Sequence, residues 1–201
     1  MIKQDLIKKK IEIAEKRILE LLKSGDLKKL PEKEGYQISD FYKKKSENRL
    51  ETAKIIYNSS KSNSEYKDYA EVVSAAYYSM YYIIQSFLAL KYRIKFKEYL
   101  RGVHAITEYE ILYYLIKTKK LATHFYEEYL KALETTAEIQ KINIEDFQEQ
   151  AYDYAEKYDK SRSAREKFTY FSNIEVEEYN AMQAMNIAEE FNNTIKQLMI
   201  K

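Results

Sequence analysis

The chain contains no cysteine and no tryptophan, and it has only three glycines, one proline and two histidines among 201 residues. The absence of cysteine excludes disulfide bonds, thiolate nucleophiles and cysteine metal sites. Glycine and proline supply most tight turns, so their scarcity argues against a β-rich fold. The residues that dominate instead are Lys, Glu, Ile, Leu and Tyr, and this composition predicts an all-α protein.

Charge is plentiful but balanced. The chain carries 34 Lys and Arg against 32 Asp and Glu, which leaves a formal net charge of +2. A global basic field for nucleic acid is therefore absent, and any such site must be a local patch. We recognise no signal peptide and no membrane-spanning segment, so we expect a cytoplasmic protein that does not associate with membranes.

The apolar stretch at residues 72–88 predicts the central helix of a bundle, extending from about Tyr66 to Tyr92. Apolar or aromatic residues cover almost its whole circumference, and a helix that is apolar all round is a buried one. Four small residues along it would let neighbouring helices approach closely: Ser74, Ala75, Ala76 and Ser79. The tyrosines between them have an apolar ring and a hydroxyl that can form a hydrogen bond.

The chain before this helix divides into an N-terminal helix at residues 1–24 and a linker at 25–38, which holds Pro31 and Gly35. A helical domain follows at 39–201. The first helix has a narrow apolar seam formed by Ile7, Ile11, Ala14, Ile18 and Leu21. This seam has coiled-coil spacing, so it packs either on its own bundle, which we favour, or on a partner.

Four further helices are predicted in the helical domain. Ser39 or Asp40 caps the first of them, whose expected inner face is Phe41, Leu50, Ala53, Ile56 and Tyr57. Others run from about 100 to 117 and from 122 past 136, and residues 139–161 either extend the latter or form a projecting hairpin. Ser172 or Asn173 caps the last helix, whose inner face is predicted as Met182, Met185, Ala188, Phe191, Ile195 and Leu198.

Few residues offer recognisable chemistry. His104 and His124 lie on different predicted helices without metal-ligand spacing, so we predict no metal and no cofactor, and a structural or solvated role for each histidine. Most of the 21 tyrosines are interpreted as amphipathic packing residues.

One local group of cations stands out, because Arg162, Arg165 and Lys167 precede Tyr170. Arg can bind phosphate through two hydrogen bonds and Tyr can stack on bases, so this group predicts an RNA- or nucleotide-binding site. The alternative is that these cations only complement the C-terminal dipole of a helix.

Two short motifs resemble the HEPN-domain family. The run Ala75–Tyr82 is similar to the family's central-helix signature, an A-Y-Y-A-M-F-like run leading into a long apolar helix. The segment Arg165–Tyr170, followed by Asn173 and an acid-led last helix, resembles the family's R-x-K-A-D-Y segment. The resemblance covers about residues 40–199, with 139–161 as an insertion and the N-terminal helix outside it.

This resemblance implies an up-and-down helical bundle, usually a homodimer, often paired with a minimal nucleotidyltransferase in prokaryotic toxin–antitoxin or defence systems. Catalytically active members are metal-independent ribonucleases that bear R-x(4-6)-H near the dimer axis. Here Arg165 is followed by Tyr170 instead of His, and Thr169 replaces the family's Asp. Because a phenol with a pKa near 10 is a poor general base at neutral pH, we expect weak RNA cleavage or none.

The sequence therefore predicts a dimeric HEPN-like protein that binds RNA, a nucleotide or a nucleotidyltransferase partner, chiefly through Arg165 and Tyr170. Two alternatives stay open. One is a ribonuclease that uses these residues, or His104, in an unorthodox way. The other is a structural adaptor that recruits a partner through its N-terminal helix.

Overall fold

A computed structural model describes residues 2–63, 67–97, 100, 102–139 and 176–200. The elements within these ranges are, in chain order, α1 (Ile2–Ser24), β1 (Leu27–Lys29), α2 (Glu32–Ser62), α3 (Tyr69–Lys91), β2 (Ile94–Phe96), α4 (Val103–Glu110), a π-helical segment (Ile111–Ile116), α5 (Thr123–Ile139) and α6 (Glu178–Ile200). These residues form an all-α bundle with one small two-stranded sheet, which confirms the predicted fold class.

Helix α3 is the centre of the bundle. It packs against α2, α5, α6, α4 and β2, and nearly every residue from Val72 to Ala89 is buried. Its N-terminus is fixed by Asp68, whose carboxylate accepts a hydrogen bond from the backbone N–H of Glu71 at 3.2 Å. The prediction of a helix buried on all sides is confirmed. The apolar surface of this helix, more than one small bundle readily covers, is also a ground for predicting a homodimer from the sequence. Since the chain's own elements cover α3, the homodimer prediction now rests on the family resemblance alone.

Small residues line the contact between α2 and α3. On α2 they recur every seven residues, as Ser39, Ser46, Ala53 and Ser60, and all four are buried. The Ser46 hydroxyl donates to the carbonyl of Ser79 at 2.9 Å, and the Ser79 hydroxyl donates to the carbonyl of Ser46 at 2.9 Å. Ser39 and Ser86 are joined in the same region, with the Ser86 hydroxyl donating to the Ser39 carbonyl at 2.8 Å. Side chain to backbone bonds of this kind require closely spaced helices, so the small residues set the distance between α2 and α3.

The predicted start of α2 at Ser39 or Asp40 is wrong, because the helix begins at Glu32 and includes the second half of the predicted linker. Pro31 stands just before the first helical residue with φ −57°, a conformation that suits the start of a helix. Phe41, predicted to face the core, is 53% exposed. Near the start of α2 the buried face consists of Gly35, Ser39 and Ser46, so apolar spacing predicts the wrong inner face there.

Gly35 lies inside α2 where it passes the C-terminal part of α3. A Cβ atom at this position would lie 2.9 Å from the carbonyl oxygen of Ala89. Alanine normally stabilises a helix interior by about 1 kcal/mol relative to glycine, but steric overlap in a packed contact costs about 1–3 kcal/mol. We therefore expect Gly35→Ala to lower the free energy of unfolding in urea titrations, whereas Gln37→Ala, at an exposed position on the same helix, should change it by less than about 0.5 kcal/mol. A more stable Gly35→Ala protein would contradict this prediction, because it would show that α2 and α3 can move apart at this contact without loss of stability.

The predicted N-terminal helix is confirmed, and its seam faces the protein's own core. Ala14, Ile18 and Leu21 are buried, Ile7 and Ile11 are partly buried, and α1 packs against α4 and the π-helical segment. The chain then forms β1, which pairs antiparallel with β2 in a register that places Leu27 opposite Phe96. The composition gave no indication of this short sheet, which ties the end of α1 to the end of α3.

The predicted helix at 100–117 begins later and ends differently. Gly102 has a left-handed backbone conformation with φ 71°, so α4 starts at Val103. After Glu110 the helix widens, and the backbone N–H of Lys117 donates to the carbonyl of Leu112, five residues earlier, at 2.9 Å. A π-helical turn of this kind is often found near functional positions. It follows directly after a buried carboxyl group, that of Glu110.

The last helix, α6, has the predicted inner face. Ala188, Phe191 and Ile195 are buried, and Met182, Met185 and Leu198 are partly buried. The first helical residue is Glu178, and Val176 and Glu177 before it are not helical. The predicted caps, Ser172 and Asn173, lie outside the described residues, as does all but the first residue of the predicted insertion at 139–161.

Candidate nucleic-acid interface

The cationic group predicted from the sequence lies outside the described residues. This applies to Arg162, Arg165, Lys167 and Tyr170. Of the residues singled out from the sequence for chemistry, the structure therefore places the two histidines.

His104, near the start of α4, is a core residue. Its ring is 2% exposed, and its Nδ1 shares a hydrogen bond with the Tyr77 hydroxyl at 2.5 Å. The rings of Tyr78 and Tyr81 also contact it, with centroids 5.9 and 4.9 Å away. Burial lowers the pKa of His104 to about 3, so the ring is neutral at physiological pH. It cannot reach an RNA substrate in this arrangement, which favours the structural interpretation. His124, in contrast, is exposed at the start of α5.

The Tyr77 hydroxyl links this histidine to α5, because it also lies 3.4 Å from the hydroxyl of Tyr129. Both tyrosines are fully buried, and burial raises the pKa of each above its ordinary value, so both remain protonated. A protonated hydroxyl in the core both donates and accepts hydrogen bonds. The cluster thus joins α3, α4 and α5 through neutral polar groups.

Glu110, at the end of α4, is the second buried polar feature and was not singled out from the sequence. Its side chain is 1% exposed, and its Oε2 accepts a hydrogen bond from the Gln85 side-chain amide at 3.0 Å. The same amide donates to the hydroxyl of Thr107 at 3.0 Å. Burial raises the pKa of Glu110 to about 8, although the hydrogen bonds from Gln85 and Thr107 oppose the rise. The carboxyl is mainly protonated at neutral pH and is held in the core as a neutral group.

Above this core, α2 and α3 present an aromatic face, which we define by Phe41, Tyr42, Lys45, Arg49, Tyr78 and Tyr82. The Tyr42 and Tyr82 rings are stacked, with centroids 5.9 Å apart and an angle of 19° between their planes. Tyr78 lies one turn before Tyr82 on α3, and the centroids of their rings are 6.3 Å apart. Phe41 packs its edge against Tyr42 at 5.4 Å. Phe41 is exposed and the three tyrosines are partly exposed, so their rings form a continuous surface.

Two cations lie on this aromatic face. The Lys45 ammonium is 4.7 Å from the Phe41 ring centroid and 5.2 Å from that of Tyr82. The Arg49 guanidinium is 5.6 Å from the centroid of Tyr78. Such distances correspond to cation–π contacts. Burial, followed by the neighbouring charge of Arg49, lowers the pKa of Lys45.

The charges on the face are poorly neutralised by the protein. Arg49 has a carboxylate of Glu71 at 4.0 Å, the outer limit of an ion pair. In the part of the chain that the structure describes, Lys45 forms no ion pair, although the adjacent Lys44 pairs with Asp40 at 2.7 Å. Two like charges four residues apart on a helix repel each other. An anion bound between Lys45 and Arg49 would relieve this repulsion.

A sequence signal for this face exists but is weak. Lys45 and Arg49 are four residues apart on α2, and Tyr78 and Tyr82 are four residues apart on α3. Each pair has helical spacing, but only the antiparallel packing of α2 on α3 brings the two pairs together. With so many tyrosines in the chain, the pattern is not distinguishable from packing before the structure is known.

No family model, no curated protein and no solved structure matches the chain. In the described ranges, no helix is both long and apolar enough to cross a membrane. Among the same residues, no group of three or more His, Asp or Glu side chains is placed to hold a metal ion.

Proposed function

We propose that this helical protein binds RNA through the aromatic face of α2 and α3. The observation that carries the proposal is the placement of Lys45 and Arg49 over partly exposed rings. Proteins that bind RNA combine cations for the phosphates with aromatic side chains on which bases stack. The face provides both kinds of group within a few ångströms, in a chain whose net charge is close to zero.

The resemblance to HEPN-domain proteins supports the same class of ligand. In this proposal the motif run Ala75–Tyr82 has a double role, because Tyr77 and Tyr81 fill the core while Tyr78 and Tyr82 belong to the aromatic face. A homodimer, a nucleotidyltransferase partner and a second RNA contact at Arg165 and Tyr170 are further parts of the proposal that rest on the resemblance. The ribonuclease alternative loses one candidate, since His104 is buried and neutral. The adaptor alternative loses its main argument, since the α1 seam packs internally.

The test is a binding titration of a short fluorescein-labelled oligouridylate, followed by anisotropy. We expect the double variant Lys45→Ala/Arg49→Ala to bind at least about tenfold more weakly than the unmodified chain. We also expect the affinity of the unmodified chain to fall as salt rises, with a shallower dependence in the variant because it neutralises fewer phosphates.

The matched control is Lys44→Ala. This substitution removes one positive charge from the same turn of α2, but Lys44 is exposed and already paired with Asp40. Its affinity should stay close to that of the unmodified chain. Equal losses of affinity in Lys44→Ala and in the double variant would show that only the overall charge of the protein matters, and would contradict the proposed face.

A further inference from the structure

The aromatic face contains a repeated unit. Lys45 lies over Tyr82 at 5.2 Å, and one helical turn further along α2 Arg49 lies over Tyr78 at 5.6 Å. Because α2 and α3 run antiparallel, a step of four residues forward on α2 matches a step of four residues back on α3. Each unit combines one cation with one ring, as each nucleotide combines one phosphate with one base.

The spacing of the units discriminates between forms of RNA. The ring centroids of Tyr78 and Tyr82 are 6.3 Å apart, and those of Tyr82 and Tyr42 are 5.9 Å apart. Lys45 and Arg49, four residues apart on a helix, are separated by about 6 Å along its axis, a step that the phosphates of a paired or an unpaired strand can match, so the rings carry the discrimination. In a duplex the bases of one strand are stacked directly on each other, about 3.4 Å apart along the axis in double-stranded DNA, so successive bases cannot each meet a separate ring. Only an unpaired strand with separated bases can meet one ring at each step.

We propose that the aromatic face selects single-stranded over duplex RNA, with successive nucleotides of an extended strand on the Lys45–Tyr82 and Arg49–Tyr78 units. This inference rests on the proposed RNA-binding function and specifies its substrate. The strand follows the line between α2 and α3. Each cation moves off its ring to pair with a phosphate, and a base takes the place of the cation over that ring. A-form duplexes place their bases in a narrow major groove or a shallow minor groove, where these side chains cannot stack on them.

The experiment compares a labelled oligouridylate with a blunt oligoadenylate–oligouridylate duplex of the same length, using the full chain. We expect the single strand to bind at least about tenfold more tightly. Base–aromatic stacking corresponds to about 5- to 150-fold in affinity per base, so Tyr82→Leu should weaken single-strand binding by a factor in that range. Tyr82→Phe, which keeps the ring, should restore it. Tyr36→Leu is the matched control, because Tyr36 is 58% exposed on α2 and outside the aromatic face.

A gain of affinity is also expected, and misfolding cannot produce one. The Glu71 carboxylate lies 4.0 Å from Arg49 and competes with a phosphate for that unit. Glu71→Gln removes this competing charge while its backbone N–H still donates to the Asp68 cap, so single-strand binding should strengthen several-fold. Unchanged or weaker binding by Glu71→Gln would count against a phosphate at Arg49.

The possible results separate the two proposals. If neither RNA binds, the proposed function fails and the inference fails with it. If single strand and duplex bind equally, RNA binding stands and strand selection is overturned. If Tyr82→Phe binds as weakly as Tyr82→Leu, the ring is not the contact and the stacking arrangement is overturned. Tighter binding to the single strand, lost in Tyr82→Leu and kept in Tyr82→Phe, supports the inference.

Discussion

Removal of residues 1–24 is expected to lower the melting temperature sharply or to prevent folding of the remaining chain. This segment contributes Ile18 and Leu21 to the core, where they are 0% and 4% exposed. Burial of one such side chain stabilises a fold by about 1.5–3 kcal/mol, so these two alone contribute about 3–6 kcal/mol. A typical domain has only about 5–15 kcal/mol of net stability, and the truncation would also expose the surfaces of α4 and the π-helical segment that α1 covers.

Point variants make this prediction measurable even if the truncated chain does not fold. Ile18→Ala should lower the free energy of unfolding by about 2–5 kcal/mol, the usual range for deleting a large aliphatic side chain from a core. Its neighbour Leu19 is 52% exposed on the same helix, so Leu19→Ala should cost less than about 0.5 kcal/mol. Urea unfolding followed by circular dichroism measures both. Similar small losses in the two variants would mean that α1 contributes little to stability and would revive its interpretation as a partner-binding arm.

The apolar patterns in the sequence were sufficient to predict the helices and most of their inner faces. The reason is physical, since the spacing of apolar residues is what places one face of a helix in the core. The seam of α1 and the inner face of α6 follow this rule. The start of α2 does not follow it, because there the buried face consists of Gly35, Ser39 and Ser46. Such residues are buried because helices approach closely, and this depends on the partner helix.

The functional features were less predictable for the same reason. The aromatic face is assembled from two pairs of residues far apart in the chain, and the contact between α2 and α3 is needed to join them. Glu110 is a similar case, because a carboxylate in a charged sequence is usually a solvated surface group. Its burial follows from the position of α4 against α3, where Gln85 supplies its hydrogen bond. The predicted group at Arg165 lies outside the described residues and remains a prediction.

Glu110 has a consequence for stability that can be measured against pH. Neutral polar side chains from five elements lie near the group: Tyr42 on α2, Tyr81 and Gln85 on α3, Thr107 on α4, Tyr114 in the π-helical segment and Tyr129 on α5. None of these supplies a positive charge, so ionisation of the carboxyl is opposed by burial. The pKa of Glu110 is raised to about 8 in the folded chain, from 4.5 for an ordinary glutamate.

The sign of the effect follows from proton binding. Between about pH 4.5 and pH 8 the folded chain holds a proton on Glu110 that the unfolded chain has released, so stability falls as pH rises through this range. Each pH unit in this window costs up to about 1.4 kcal/mol from this group. His104 acts in the opposite sense, because burial lowers its pKa to about 3. The unfolded chain binds a proton there below about pH 6.5, and stability falls as pH decreases from that value.

The substitution Glu110→Gln should therefore remove the loss of stability that accompanies rising pH between about pH 4.5 and pH 8, and leave unchanged the loss that His104 causes as pH decreases below about 6.5. The amide is neutral at every pH and still presents an oxygen to the Gln85 side chain. At pH 9 we expect the variant to be more stable than the unmodified chain by on the order of a few kcal/mol, and near pH 5 the two should be similar. Urea titrations across this range measure the difference, with Glu108→Gln as a control because Glu108 is the neighbouring, less buried carboxylate on α4. Parallel pH profiles for the Glu110→Gln variant and the unmodified chain would show that Glu110 is ionised in the folded state, and the neutral core around it would then need a different account.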